Sequence, residues 1–193
     1  LSHCLIGMDL DGTANLTRFS GEGLESGGIM STGTLNITDS TISNTSMAIS
    51  STGTLDIDNL NISDSGIGVF VTAGSATIDN LKIDDLYMGL HVEDGVSGYL
   101  NGMTGEENVL AIDAGDSSNF PFQDITLGAE RLIQAFNSGA ISVTNANING
   151  TSNSERAAID IVSDANIVFA GLSLTNTSHG IDITGTGDYT FTN

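Results

Sequence analysis

The sequence predicts an all-β protein, and three observations lead to that prediction. Its 193 residues include 24 glycines, one proline and no tryptophan, and Ser, Thr and Asn are abundant. This composition is typical of short strands joined by turns. Apolar residues alternate with polar ones in short runs, as in Thr34-Leu35-Asn36-Ile37-Thr38, so one side of each run faces a core. No stretch keeps the 3.6-residue period of an amphipathic helix.

A repeat of about twenty-one residues organises these short runs. The heptapeptide Ser-Thr-Gly-Thr-Leu-Asn-Ile at 31–37 recurs at 51–57 with Asp in place of Asn. Continuing this register, at steps of 20 to 26 residues, gives a first apolar column of Ile37, Ile57, Ile78, Leu100, Phe122, Val143, Phe169 and Phe191.

Two further apolar columns follow in each repeat. The second column consists of Ile42, Ile62, Ile83, Leu127, Ile148 and Leu174. The third is read as Ile49, Val69, Val92, Ile112, Phe136, Ile159 or Ile161, and Ile181 or Ile183. Each repeat therefore carries three short strands.

A unit of three brief strands cannot bury its apolar side alone. Copies stacked at roughly 4.8 Å per turn enclose a continuous core and pair their strands in parallel. The sequence therefore predicts a single-stranded parallel β-helix, which is a solenoid of about eight coils of 20–26 residues with three short strands per coil. We expect it to form one domain over residues 1–193.

A turn position follows each first-column residue by two. It is occupied by Asp39, Asn59, Asn80, Gly102, Asp124, Asn145, Gly171 and Asn193. Asn, Asp and Gly tolerate positive φ, so this position predicts a corner of the coil. Because like residues stack in a solenoid, the polar members are expected to form a structural ladder in which each amide bonds to its neighbours in adjacent coils.

The recurring Gly-Ile-x-Ile and x-Ile-x-Asn/Asp patterns, as in Gly180-Ile181-Asp182-Ile183, resemble the right-handed parallel β-helix superfamily. That superfamily includes pectin-lyase-like enzymes and many surface adhesins, and the resemblance covers nearly the whole chain. It implies a right-handed coil. Since the superfamily hosts many functions, the absence of a clear catalytic motif favours the adhesin or structural type.

Composition excludes several classes of partner. The formal net charge is −20 with only four Lys and Arg residues, whereas nucleic acid and anionic membranes need a basic face. The longest apolar runs are too short to form a transmembrane segment. Cys4, the single cysteine, cannot form an internal disulfide.

Neither end of the sequence carries an amphipathic capping helix, although solenoids normally need polar caps. We therefore expect an excerpt of a longer solenoid, or a subunit that stacks end to end. In either case its partners are copies of itself or flanking repeats, because bare terminal turns offer unpaired backbone edges.

Asp160 and Asp182 are the candidate catalytic residues. By the resemblance, β-helix hydrolases cleave carbohydrates with clustered carboxylates on one outward strand face. We read that face here as Ala48, Gly68, His91, Ala111, Ala135, Asp160 and Asp182, in which only the last two carboxylates adjoin. We expect Arg156, in a long loop at 149–156, to approach Asp160 as a salt bridge or loop anchor.

Outward carboxylates also suggest a calcium site. The candidate ligands are Asp9 and Asp11 near the start of the sequence and Asp56, Asp58 and Asp79 further on. Calcium takes six to eight oxygen ligands, and stacked like charges about 5 Å apart repel each other unless a cation or salt intervenes. The alternative is that these are ordinary solvated strand residues. No cofactor other than calcium is expected.

Six Asn-x-Ser/Thr sequons are candidate glycosylation sites: Asn15, Asn36, Asn44, Asn61, Asn149 and Asn176. Together these features favour a non-enzymatic, extracellular or cell-surface structural solenoid, such as a component of an adhesin, surface layer, sheath or filament. Two alternatives remain. One is a carbohydrate-active or tailspike-like protein that binds polysaccharides such as cell-surface glycans, and the other is a calcium-stabilised surface module.

Overall fold

The computed structural model describes residues 1–2, 4–93, 95–115, 120–136, 139–150 and 157–193. Within these residues the protein is all-β and forms a parallel β-solenoid of about eight turns, which confirms the predicted fold class. We number the coils 1 to 8 as residues 13–33, 34–53, 54–74, 75–96, 97–119, 120–140, 141–166 and 167–188.

In the described part of the chain, fifteen strands make one sheet, and every pairing in it is parallel. The strands are β1 (Ile6–Leu10), β2 (Thr13–Thr17), β3 (Ser20–Glu22), β4 (Gly27–Ser31), β5 (Thr34–Ser43), β6 (Met47–Ser51), β7 (Thr54–Val71), β8 (Ser75–Val92), β9 (Ser97–Ala114), β10 (Phe122–Phe136), β11 (Ile141–Asn149), β12 (Ala157–Val162), β13 (Ile167–Thr175), β14 (His179–Thr184) and β15 (Tyr189–Thr192).

The central coils are bent strands rather than separate ones. The strands β7, β8 and β9 each run for 18 residues. In β7 the chain turns at Asn59 and Asp64, whose φ angles are 61° and 50°. Such left-handed residues redirect a strand without ending its ladder. The number of strands per coil and the handedness of the coil stay predictions.

The first and second apolar columns are confirmed. Ile57 pairs with Ile37 on one side and Ile78 on the other, and the register continues through Leu100, Phe122, Val143, Phe169 and Phe191. In coil 5 the second-column position is occupied by Gly105, which pairs with Leu127 of coil 6. Ile57 is 0% exposed, and full burial of such a side chain stabilises the fold by about 2 kcal/mol.

The predicted third column was wrong at two residues, Val92 and Phe136. The structure stacks Ile49, Val69, Leu90, Ile112, Ile133, Ile159 and Ile181. Val92 lies two residues further on, opposite Val71 and Ala114, and Phe136 points outward with 43% of its surface exposed. The stacked third-column residue lies 12 positions after the first-column residue in coils 2 to 5 and in coil 8, 11 after it in coil 6 and 16 after it in coil 7. Changes in length between the second and third columns therefore shift the third column alone.

A glycine corner closes the early coils. Gly33, Gly53 and Gly74 stack on one another, and a Cβ added to any of them would collide with a carbonyl oxygen one coil earlier. The next backbone N–H donates to that same carbonyl, as from Thr54 to Gly33 at 2.9 Å. Glycine is therefore required for the close approach of successive coils. In the described residues, no helix is long and apolar enough to cross a membrane.

Candidate functional site

The first corner of the coil consists of the turn positions two residues after the first column. The φ angles lie between 51° and 80° at seven of these positions, which are Asp39, Asn59, Asn80, Gly102, Asp124, Asn145 and Gly171. Asn59 Nδ2 donates to Asp39 Oδ1 at 2.6 Å, and Asn145 Nδ2 donates to Asp124 Oδ1 at 2.8 Å.

These hydrogen bonds form pairs rather than one unbroken ladder. Asn80 donates sideways to Asp58 Oδ1 at 3.3 Å, and Gly102 and Gly171 interrupt the row of side chains. Asn193, the remaining predicted ladder residue, follows β15 and is exposed. The first corner is therefore built of short Asp–Asn units.

Similar bonds join coils on the outward strand faces. Asn36 Nδ2 donates to Asn15 Oδ1 at 2.6 Å, Thr77 Oγ1 donates to Asp56 Oδ1 at 2.9 Å, and Asn101 Nδ2 donates to Asp79 Oδ1 at 2.8 Å. In each case a donor in one coil meets an acceptor in the preceding coil. Side chains thus reinforce the backbone ladder between coils.

A second corner was not predicted. It consists of Gly23, Asn44, Asp64, Asp85 and Glu107, which occupy equivalent places in coils 1 to 5 and have φ between 50° and 64°. Asp64, Asp85 and Glu107 are exposed, and none of these three carboxylates accepts a hydrogen bond from the described residues. Three like charges are therefore stacked at roughly one coil spacing, about 4.8 Å. The recurring Asn/Asp at a fixed offset from the second column was the signal available in the sequence.

The structure brings the candidate catalytic residues Asp160 and Asp182 together. They are register partners in β12 and β14, and the outward position of the preceding coil is Gln134. The three side chains line a cleft of about 630 Å³ together with Phe136 and His179. Arg156, the predicted neighbour of Asp160, lies outside the described residues.

The outward face that carries this pair was misread elsewhere. Ala48, Ala111 and Ala135 are fully buried at 0% exposure and therefore do not belong to it. The true row is Met30, Ser50, Phe70, His91, Asp113, Gln134, Asp160 and Asp182. The predicted residues lie two positions before the true ones in coils 2, 3 and 5 and one position after the true one in coil 6, so the prediction did not keep a single register.

The corrected register places His91 between Phe70 and Asp113 of the neighbouring coils. Its Nδ1 lies 2.9 Å from Asp113 Oδ2, and its ring stacks on Phe70 with centroids 4.4 Å apart. Its Nε2 is buried, lies 3.6 Å from Glu93 Oε1 and has no hydrogen-bond partner among the described residues. A ring nitrogen that solvent cannot reach is poorly placed for acid–base catalysis, so His91 joins three coils rather than forming a catalytic dyad.

The calcium candidates fall into separate places. Asp9 and Asp11 lie in and just after β1, where Asp11 accepts a hydrogen bond from Thr32 at 3.0 Å. Asp56, Asp58 and Asp79 line a shallow groove of about 450 Å³ on another face, with Asp58 and Asp79 in register. In the described part of the chain, no group of three or more His, Cys, Asp or Glu side chains is arranged to hold a metal ion. Calcium stabilisation stays a prediction.

Two pKa values respond to contacts between coils. The hydrogen bond from Tyr99 to Asp79, together with the charge of that carboxylate, raises the pKa of Tyr99. The backbone N–H and then the hydroxyl of Thr186 donate to Asp164 Oδ1 at 2.8 and 2.9 Å, and they lower the pKa of Asp164. Donors that meet a carboxylate from the next coil thus favour its ionised form.

The six sequon asparagines differ in their surroundings. Asn15, Asn44, Asn149 and Asn176 are exposed, whereas Asn36 and Asn61 are half-buried. The nitrogen atoms of Asn36 and Asn176, to which a glycan would be attached, already donate to Asn15 and Asn149 at 2.6 Å each. Glycosylation stays a prediction for all six.

The chain was compared with models of protein families, with curated proteins and with solved structures, and no match was found.

Proposed function

We propose that this chain is a non-enzymatic structural solenoid of an extracellular or cell-surface protein, such as an adhesin, surface layer, sheath or filament. The observation that carries the proposal is the joining of successive coils by side chains as well as backbone, as in the bonds from Asn36 to Asn15, from Asn59 to Asp39 and from Asn145 to Asp124. A continuous core with bonded outward rows makes a stiff rod. A rod of this kind suits a mechanical role.

The surface chemistry supports an exposed location. A net charge of −20 and outward rows of Thr, Asn and Asp keep such a rod hydrated and disfavour nucleic acid as a partner. One cysteine in 193 residues means that the fold needs no disulfide. Copies of the chain or flanking repeats, and cell-surface glycans, are the partners that we propose.

Surface labelling tests this proposal. An antibody raised against the purified chain should label intact cells of the organism that encodes it, while an antibody against a cytosolic protein should not. Labelling that appears only after the cells are permeabilised would overturn the proposed location.

A carbohydrate-active role is a second candidate, favoured by the cleft that contains Asp160 and Asp182. Register partners in adjacent strands bring their carboxylates to about 5 Å, which is near the spacing of retaining glycosidases. Phe136 adds an exposed ring and Gln134 an amide to the same cleft. Acidic and neutral polysaccharides should be cleaved by the wild type and not by Asp182→Asn. Equal inactivity of the two proteins would eliminate this role.

A further inference from the structure

A groove crosses coils 4 to 7 next to the second corner. It has a volume of about 890 Å³, and the lining residues that matter for its chemistry are Asp85, Thr104, Glu106, Glu107, Thr126 and Asn147. Neither the structural role nor the Asp160–Asp182 cleft uses this part of the surface.

A register shift opens the groove. Leu127 pairs with Gly105, but two residues later Ala129 pairs with Asn108, so Gly128 alone stands opposite Glu106 and Glu107. Coil 6 therefore has one residue fewer than coil 5 at the second corner. β-Bulges of this kind redirect the surface of a sheet locally.

One side of the groove and its floor differ in chemistry. One side is the exposed carboxylates of Asp85, Glu106 and Glu107, none of which has an ion-pair partner among the described residues. Asp84 is occupied, because it accepts from Lys82 and from the backbone N–H of Glu106. The floor is polar, with Lys82, Thr104, Thr126 and Asn147 in one outward row, in which the Lys82 ammonium pairs with Asp84.

We infer that this groove is a docking site for an extended, Lys- or Arg-rich segment of a partner polypeptide. The unpaired carboxylates complement cationic side chains, and the hydroxyl and amide groups of the floor can bond to a peptide backbone. Four coils span roughly 14 Å, which matches about four extended residues. A groove of this length and mixed lining exceeds what a single metal ion needs. The inference goes beyond the rod role, because it assigns a partner.

The experiment measures binding of an acetylated, amidated tetralysine peptide by calorimetry at low salt. Two variants address the two features of the site. Asp85→Asn/Glu107→Gln removes charge at left-handed positions, where Asn at least is readily accepted. Gly128→Leu fills the groove without changing charge, and it should fold, because a Cβ there has no contact closer than 3.4 Å. Asp160→Asn/Asp182→Asn is the control, since it removes an equal charge from another stacked pair.

We expect the charge variant to weaken binding about fivefold, the size of two exposed ion pairs. Gly128→Leu should weaken it at least as much, and the control should leave it within twofold. The inference would be overturned by equal weakening in the charge variant and the control, by no effect of Gly128→Leu, or by spermine binding as tightly as the peptide. Binding of Ca²⁺ but not of the peptide would also overturn it. Circular dichroism of each variant shows that folding is retained.

Discussion

The two corners solve the same backbone problem with different chemistry. Both redirect the chain with residues at positive φ. At the first corner, an amide in one coil donates to a carboxylate in the coil before it, as Asn59 does to Asp39. At the second, Asp64, Asp85 and Glu107 stack with no amide between them. Alternation of Asp with Asn therefore converts repulsion into a hydrogen bond, and its loss leaves charge available for a partner.

The largest effect should come from the core on which both corners rest. Ile57→Ala is expected to lower the free energy of unfolding by about 3 kcal/mol, because it leaves a cavity between Ile37 and Ile78. Urea denaturation measures this loss. Thr54→Ala, at an exposed position of the same strand, is the control and should change stability by less than about 0.5 kcal/mol. Similar losses in the two variants would mean that the column is not a packed core.

Asn59→Asp converts the first corner into the chemistry of the second. The variant loses the donor to Asp39 and faces one carboxylate with another, so we expect a loss of about 1 kcal/mol. Asn44→Asp is the matched control, because Asn44 has a similar φ and stacks on Asp64 without a side-chain hydrogen bond to it. Its loss should be clearly smaller. Equal losses would show that charge alone, and not the hydrogen bond, distinguishes the corners.

Asp85→Asn makes the reverse change. An amide between the carboxylates of Asp64 and Glu107 relieves repulsion and supplies a donor, so stability should rise by about 0.5 kcal/mol. Thermal melts at low salt measure the gain. Because salt screens exposed charges, the gain should shrink in 1 M NaCl. A gain that is independent of salt would contradict the repulsion argument.

The smallest effect concerns Asp164, where donors meet a carboxylate outside both corners. Its pKa in the folded protein lies below the ordinary value of 3.8, so its ionised form stabilises the fold. That stability is present above the ordinary pKa and is lost as pH falls through the lowered one. The melting temperature of the wild type should therefore fall more steeply below pH 4 than the melting temperature of Asp164→Asn. Parallel curves would show that the bonds from Thr186 add no pH dependence.

The fold was predictable because burial imposes a strict period. The side chains of Ile37, Ile57 and Ile78 all point into the core in successive coils. A shift of one residue in the register would move the apolar side chains of the whole strand to the solvent face. The third column failed because Val92 and Phe136 are also apolar, and composition alone does not choose between residues two or three apart. Carrying the first column's steps forward would have found Leu90, but it would have reached Gln134 in place of Ile133, because coil 6 has one residue fewer before this strand.

The sites were less predictable, since they depend on departures from the repeat. Asp160 and Asp182 were identified because their offset equals one coil. The pairing of His91 with Asp113 was missed once the register of that face was misread. The groove depends on a single missing residue beside Gly128, which is invisible in a repeat whose length varies from coil to coil.

Disulfide trapping between outward positions tests the stacking of coils most directly. In a Cys4→Ser background, Asp58→Cys/Asp79→Cys places two thiols on register partners in adjacent coils, at a separation that a disulfide spans. Asp58→Cys/Asn101→Cys places them two coils apart, roughly 10 Å. The account predicts rapid intramolecular crosslinking of the first pair alone under mild oxidation. Crosslinking of the second pair, or of neither, would contradict it.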